Sequence, residues 1–424
     1  MTKDGDVKED FFDPLILLRT RRFGTFWFAS FLSNIGTWAQ QVAQPWLLLS
    51  LGASPFLLGL DTFALGAPVW LLTLTGGILA DRADRRRVIA IFQSIQMLCP
   101  TLLVVLLLTG AVKPWMVITL SLVIGITDAL SMPSFQTIVS TIVKHEQIAA
   151  ALALNSTQFN LSRILGPAIA GVLLVSAGAV GCFAVSAASY LPFIFVAWWI
   201  LPRQNITSNA HDVFDRRHPF AGVLEVIRIP NLRGGVMTVL ASSTLCGPLI
   251  TFSPVLVRSS FQGSAMQFSI AISSFGAGAL VGAIALLFVD ANRDRRMIGS
   301  LFAVALGITL VLVAINPWLW ALPLLMLLAG LAMSVTNISI NTLLQTQALP
   351  QLRGQAVSLF MLAMRGGISL GSLLTGMSVS LLGVHRALLI DGILAVAVQA
   401  LIGWSWFKNN GWNRRVGGAK TDSS

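Results

Sequence analysis

The stretch that decides the fold reads Gly-Gly-Ile-Leu-Ala-Asp-Arg-Ala-Asp-Arg-Arg-Arg and runs from Gly76 to Arg87. It lies between two long apolar segments, and six of the seven residues from Asp81 to Arg87 are charged. Charged side chains are unfavourable in the hydrocarbon core of a bilayer, and the stretch is too short to form a domain. We therefore expect a tight turn between two membrane-spanning helices, on one face of the membrane.

The composition of the whole chain indicates a membrane protein. Of its 424 residues, 55% are hydrophobic and only 11% are charged, whereas soluble domains carry roughly 25% charged residues. A helix needs about 20 mainly apolar residues to span a bilayer, and backbone polar groups in hydrocarbon need internal partners, which favours helices. The twelve predicted spans are 24–50, 57–80, 88–109, 114–140, 147–176, 179–201, 233–257, 265–288, 297–315, 317–345, 352–382 and 385–407.

The distribution of basic residues predicts the orientation of these spans. Of the 28 lysines and arginines, Lys113, Arg258 and Arg386 alone fall in loops on the side away from the hairpin. Loops rich in Lys and Arg remain in the cytoplasm, so we expect the hairpin and both termini there. Nucleic acid is not an expected partner, because these basic residues alternate with spans and do not form one continuous surface.

A polar stretch divides the predicted spans into two equal sets. Residues 202–232 contain three prolines and several charges. We expect a six-helix half over residues 1–201, a cytoplasmic central loop over 202–232, and a second six-helix half with a cytoplasmic tail over 233–424.

A weak internal repeat supports this division. Residues 80–89 align with residues 289–298, which places Asp81 opposite Asp290. Parallel halves related by an axis along the membrane normal, with a central binding site near mid-membrane, are expected of such a repeat. Three more residues of the first half align with three of the second, namely Thr137, Gly166 and Gly171 with Thr342, Gly371 and Gly376.

Three stretches of the chain resemble the major facilitator superfamily, and within it the secretion effector or siderophore exporter branch. They are Ser33–Trp38 followed by Gln40, Gln41 and Gln44; Gly76–Arg87; and Ala151–Ser156 followed by Phe159, Asn160, Arg163 and Gly166–Gly171. The resemblance implies an all-α membrane protein with twelve transmembrane helices in two six-helix halves, located in the bacterial inner membrane. It is strong in the first half and weak in the second, where Asp290 to Arg296 follow no double glycine.

The resemblance also implies a cytoplasmic gate at the hairpin. Gly77 would allow neighbouring helices to approach closely, and Asp81, Arg85 and Arg86 would pair across the gate. The alternative is that these arginines only fix the topology, which is the role we expect of Arg87.

Charged residues inside spans indicate function by default. Counted outward from the turn near His145, Asp128 and Arg163 lie at nearly the same depth, so we expect an ion pair that serves transport or only clamps two helices. Arg365 has no acid at a matching depth, and would bind an anionic substrate or backbone carbonyls.

Two further acids are expected near the ends of their spans. Asp61 lies near the outer end of span two and is expected to be interfacial, although with Asp128 it is a nominee for carrying a proton. Asp391 is expected to form a boundary pair with Arg386.

Polar residues at helical spacing predict a hydrophilic cavity that would bind a polar, amphipathic substrate. The alternative is hydrogen bonding between helices, which uses the same residue types. The pair Gly166 and Pro167 is expected to permit bending of span five. The predicted cavity residues are Asn34, Thr37, Gln41 and Gln44 in span one, Asn160 in span five and Asn341 in span ten.

The resemblance implies a secondary-active exporter of a siderophore or drug-like compound, working by alternating access and driven by protons. A membrane enzyme and a non-transporting scaffold are the alternatives, but the four histidines lack metal-type spacing and no phosphate-binding loop motif is found. We expect a small-molecule substrate, protons and membrane lipid as partners, no cofactor or metal, and a monomer.

Overall fold

The computed structural model describes residues 14–202, 225–290, 293–349 and 352–418. Within these ranges eleven helices are long and apolar enough to cross a membrane. The remaining long helix, α1, has 30 residues and carries the polar stripe that lowers its hydropathy. The predicted all-α fold with twelve spans is confirmed. The helices are α1 (Arg21–Ser50), α2 (Pro55–Arg82), α3 (Arg85–Leu108), α4 (Pro114–Ile142), α5 (Ile148–Ser176), α6 (Gly178–Trp199), α7 (Pro230–Ser260), α8 (Ala265–Ala285), α9 (Arg295–Ile315), α10 (Leu322–Gln347), α11 (Arg353–Leu382) and α12 (Val384–Gly418).

The ends of the helices follow local chemistry. We call the membrane face with the Gly76–Arg87 hairpin the charged face, and the other the opposite face. Four turns on the opposite face contain a glycine with a positive φ, a conformation that costs glycine little. These are Gly52 (75°), Gly110 (68°), Gly178 (64°) and Gly383 (83°).

On the charged face, two aspartates begin equivalent helices. The side chain of Asp84 accepts a hydrogen bond from the backbone of Arg86 at the start of α3, and Asp294 accepts one from Arg296 at the start of α9. The two N-caps are therefore structural equivalents. This corrects the predicted register of the repeat by one residue, because the alignment at Asp81 placed Asp84 opposite Arg293.

Aligned glycines allow equivalent close approaches in the two halves. Gly166 of α5 lies against Trp38 of α1, and Gly371 of α11 lies against Thr244 of α7. A Cβ atom at either position would collide with the neighbouring helix, so packing at these points requires glycine.

The buried side chains show how the two halves meet. One apolar cluster contains residues of both halves, among them Leu47, Leu58, Phe252 and Phe268. Towards the charged face the core is divided in two. The first half has a cluster around Phe26 and Phe193. The second half has its own cluster there, which includes Leu232, Ile340 and Trp406.

Direct contacts between the halves lie between the opposite face and mid-membrane. The backbone N–H of Phe56 on α2 donates to Ser380 on α11 at 3.1 Å, and Trp70 lies against Gly366 deeper along the same seam. On the second seam, Gly171 of α5 contacts Ser269 of α8. These contacts therefore lie where the two halves share one core, and towards the charged face each half has its own core.

Candidate functional site

An ion pair links the two halves at the end of the α2–α11 seam that lies deepest in the membrane. Arg365 on α11 donates from Nη1 to Oδ2 of Asp128 on α4 at 3.1 Å. Gln96 on α3 donates to Oδ1 of the same carboxylate at 3.2 Å. The side chains of Arg365 and Asp128 remain 31% and 45% exposed, so the pair is accessible from outside the helix packing.

This pairing differs from the prediction. Asp128 was expected to pair with Arg163, and Arg365 was expected to lack an acid at its depth; both expectations are wrong. Counting from a turn gives the depth of a residue but not the direction of its side chain. Helix α4 packs mainly on α2 and α3, whereas α5 packs mainly on α1 and α8, so Asp128 faces the other half.

Arg163 instead lies over an aromatic ring of α1. Its guanidinium carbon is 5.3 Å from the centroid of Trp38, within the range of a cation–π contact. The ring of Phe159, one turn earlier on α5, meets Trp38 edge-on at 5.9 Å. The cation and both rings are held together because Gly166 lets α5 approach α1.

The residues of the polar stripe of α1 have two kinds of environment: some hydrogen-bond to neighbouring helices, and one is exposed. Asn34 donates to Gln158 of α5 at 3.2 Å, and Thr37 shares a hydrogen bond with Tyr190 of α6 at 3.0 Å. Both contacts join helices. Gln41 is exposed one turn beyond Trp38, and its place in a substrate cavity stays a prediction.

The structure gives fewer contacts for the other residues predicted to line the cavity or to bend a helix. Asn341 on α10 is half-buried and accepts a hydrogen bond from Gln345 at 3.1 Å. The side chain of Asn160 lies outside the described part of the structure. Helix α5 continues as one helix through Gly166 and Pro167, and their proposed bending stays a prediction.

A buried carboxyl group lies between α1, α2 and α4. Asp61 is only 6% exposed, so the expectation that it is interfacial is wrong. Gln44 donates from Nε2 to its Oδ2 at 2.8 Å, and Ser121 donates to its Oδ1 at 2.6 Å. All hydrogen-bond partners described for Asp61 are neutral, which distinguishes it from Asp128.

The network around Asp61 extends across α1 to α6. Gln40 donates to Gln44 at 3.4 Å and accepts from Ser186 at 2.9 Å. These side chains are all buried, and together they form a continuous polar path through the first half.

A second buried acid lies in the other half. Asp391 on α12 is 9% exposed and accepts a hydrogen bond from Thr375 on α11 at 2.7 Å. The expected boundary pair with Arg386 is wrong, because Asp391 points into the helix packing.

The predicted gate is described in part. Gly77 lies within α2 and Arg85 is the first residue of α3, whereas the side chain of Asp81 lies outside the described part of the structure. The Nε atom of Arg86 is 4.0 Å from Asp84, and its side chain is 8% exposed. Asp84 is therefore the described partner of Arg86 in this conformation.

Several functional residues were not predicted from the sequence. Gln96, Gln158 and Ser121 each hydrogen-bond a predicted residue, and Tyr190 is the one tyrosine of the chain. For Gln96 and Gln158, the signal available in the sequence was a side-chain amide within an otherwise apolar span. Within the described ranges, no group of three His, Cys, Asp or Glu side chains is placed to hold a metal ion.

The arrangement is suited to binding and not to covalent chemistry. The described polar groups include two guanidinium groups, one paired with a carboxylate and one over an indole ring, and side-chain amides on α1 and α3. Such a surface can hold a solute that combines polar or negatively charged groups with an apolar or aromatic part.

Known proteins are similar to this chain along most of its length. The staphyloferrin A transporter of Staphylococcus aureus is 26% identical over 386 residues, covering 88% of this chain and 93% of that protein. The multidrug efflux pump Tap of Mycolicibacterium fortuitum is 25% identical over 394 residues, with coverage of 88% and 95%. The enterobactin exporter EntS of Salmonella choleraesuis is 25% identical over 370 residues, with coverage of 85% and 87%.

The fold is also that of solved transporters. A bacterial homolog of the human lysosomal transporter Spinster, in an inward-facing and occupied conformation, superposes with a TM-score of 0.72 at 15% identity and with coverage of 92% and 97%. The profile of the transmembrane secretion effector family matches residues 12–409. The predicted resemblance is thereby confirmed: this chain belongs to the transmembrane secretion effector family and is a multi-pass membrane transporter of the major facilitator type.

Proposed function

We propose that this protein is a secondary-active exporter that moves a small amphipathic compound, a siderophore or a drug-like molecule, by alternating access. The observation that carries the proposal is the ion pair between Asp128 and Arg365, which joins the two halves. Each half has its own core towards the charged face, and we infer that a cavity opens between the halves there. The ion pair joins two halves that meet on one side only. It must therefore break and re-form when the cavity closes to one membrane face and opens to the other.

The charge distribution supports an orientation with the charged face in the cytoplasm of the bacterial plasma membrane. Basic loops are retained on the cytoplasmic side, and helix α1 begins and helix α12 ends on the same side as those loops. In the present conformation the cavity then receives solute from the cytoplasm, which is the loading side of an exporter.

The chemistry of the cavity supports a cargo with negatively charged and aromatic parts. Arg365 is exposed enough to exchange Asp128 for an anionic group of the cargo. Arg163 and Trp38 offer a cation and an aromatic surface side by side, and Gln41 offers an amide. An anionic cargo would thus compete directly with Asp128 for Arg365.

We further propose proton coupling in a monomer. One chain contains both halves and the whole cavity, so a second copy is not needed to complete the site. Asp61 and Asp128 are the nominees for carrying the proton. Protonation of Asp128 would release Arg365, whereas Asp61 is buried among neutral donors and would bind a proton without breaking an ion pair.

Transport into inverted membrane vesicles tests the proposal. The charged face is then outside, and an imposed gradient, acidic in the lumen, should drive accumulation of a radiolabelled siderophore or a fluorescent drug. Vesicles without the protein are the control. Accumulation that persists after the gradient is collapsed would exclude proton antiport, and failure of every tested solute would favour the enzyme or scaffold alternatives.

A further inference from the structure

A cavity outside the transport pathway lies on the membrane-facing side of the first half. Its volume is about 690 Å³, and it is lined by Arg86, Arg87 and Ile91 of α3 and by Trp198 and Trp199 of α6. It is formed by the first turns of α3 and the last turn of α6, at the charged face. Apart from Arg86, which belongs to the predicted gate, the proposed exporter mechanism uses none of these residues.

Among the side chains that the structure describes, the two arginines of this cavity share one acidic partner. Arg86 is 7% exposed, and its buried Nε atom has no hydrogen-bond partner among the described residues. Arg86 and Arg87 share the carboxylate of Asp84, whose Oδ2 is 4.0 Å and 3.9 Å from their Nε atoms. One carboxylate therefore faces two guanidinium groups, beside the N-terminus of a long helix that also favours an anion.

The other walls match the interfacial layer of a membrane. Trp199 is 70% exposed and Trp198 is 37% exposed, and indole rings prefer the depth of lipid headgroups. Ile91 is 49% exposed one turn deeper along α3, where an acyl chain would begin. Tryptophans that only anchor the helix in the interface would not need a buried arginine with an unpartnered nitrogen beside them.

We propose that this cavity binds the headgroup of an anionic phospholipid. The phosphodiester contacts the guanidinium groups of Arg86 and Arg87, the indole rings cover the glycerol region, and the acyl chains follow Ile91 into the bilayer. Basic pockets between membrane helices at the charged face are the sites where such headgroups bind.

Native mass spectrometry of the purified full-length protein tests this site. Phosphatidylglycerol and phosphatidylethanolamine with identical acyl chains are each titrated, and phosphatidylglycerol is titrated again with millimolar inorganic phosphate. We expect preferential retention of phosphatidylglycerol, unaffected by phosphate. Arg87→Gln should weaken that retention about fivefold, the effect of one arginine near an anionic lipid, and Trp199→Ala should weaken it as well.

Arg295→Gln is the matched control, because Arg295 begins the equivalent helix α9 on the same face but does not line the cavity. It should retain phosphatidylglycerol like the unaltered protein, as should Arg87→Lys. Equal retention of both lipids, displacement by inorganic phosphate, or an Arg87→Gln protein that binds like the control would each overturn the proposal. If Arg87→Gln does not fold, the comparison of Trp199→Ala with Arg295→Gln decides the question. None of these outcomes depends on transport, so the proposed export function stands or fails separately.

Discussion

Three acidic side chains within the helices have different kinds of partner, and this difference separates their roles. Asp128 faces a guanidinium across the halves, whereas Asp61 and Asp391 accept hydrogen bonds from neutral hydroxyl or amide groups. Loss of charge at Asp128 removes a contact between halves. Loss of charge at Asp61 removes only the capacity to bind a proton, since Gln44 and Ser121 remain bonded to one another.

A double-mutant cycle tests the ion pair. Asp128→Asn and Arg365→Gln should each lower the rate of transport about tenfold, because each leaves one partner uncompensated in the cavity. The double variant should be no slower than the slower single variant, because interacting residues are not additive. Rates that multiply in the double variant would show that the two side chains act independently.

The neutral variant Asp61→Asn tests the proton site. We expect it to lose accumulation driven by a proton gradient but to retain exchange of labelled for unlabelled cargo, because the exchange needs no net proton movement. Glu146→Gln, an equally conservative change at an exposed position between α4 and α5, should retain both activities. Gradient-driven accumulation by Asp61→Asn at the rate of the unaltered protein would remove Asp61 from the coupling mechanism.

At the scale of helices, the sequence predicts the existence and ends of the elements better than their partners. Apolar length and turn residues placed all twelve spans close to the observed bounds, because both are local properties. The pairing of α2 with α11, and of α5 with α8, depends on which small residues face one another. That information is spread over distant segments, which is why Asp128 was assigned the wrong arginine.

Acid titration tests the cap of α9. Hydrogen bonds from Arg296 lower the pKa of Asp294 below its usual value of 3.8. A lowered folded-state pKa means that the carboxylate stabilises the protein above the unfolded pKa, and that this contribution disappears as the pH falls through the folded pKa. The melting temperatures of the unaltered protein and Asp294→Asn should therefore differ at pH 7 and converge below about pH 4. A difference that does not change with pH would contradict the cap.

Two glycine-to-alanine variants test the seam between α2 and α11. A Cβ at Gly59 would collide with the backbone of Ser372 and lie 3.3 Å from the Cα of Gly376, so Gly59→Ala should destabilise the protein by about 1–3 kcal/mol. Gly403→Ala is the control, since its nearest neighbour is 3.9 Å away and alanine favours a helix interior by up to about 1 kcal/mol. Thermal unfolding in detergent compares them; equal stability of the two variants would contradict the tight seam.

At the scale of the whole molecule, one shared core at the opposite face and two separate cores at the charged face define the conformation. The sequence predicted the membrane class from composition and segment length, and the two halves from the polar stretch 202–232 and the weak repeat. It did not predict on which face the cavity opens, because that depends on packing between halves at distant positions. The proposed alternating access requires the two halves to rock about the central seams and to expose the same side chains to either face.

Paired distance measurements test this movement most directly. The three native cysteines are buried, so spin labels can be attached at introduced cysteines replacing Lys144 and Leu349 on the charged face. A second protein carries labels at Ala111 and Trp320 on the opposite face. Acidification and addition of cargo should shorten the charged-face distance and lengthen the opposite-face distance together. Distances that stay fixed at both faces, or that change in the same direction, would contradict alternating access.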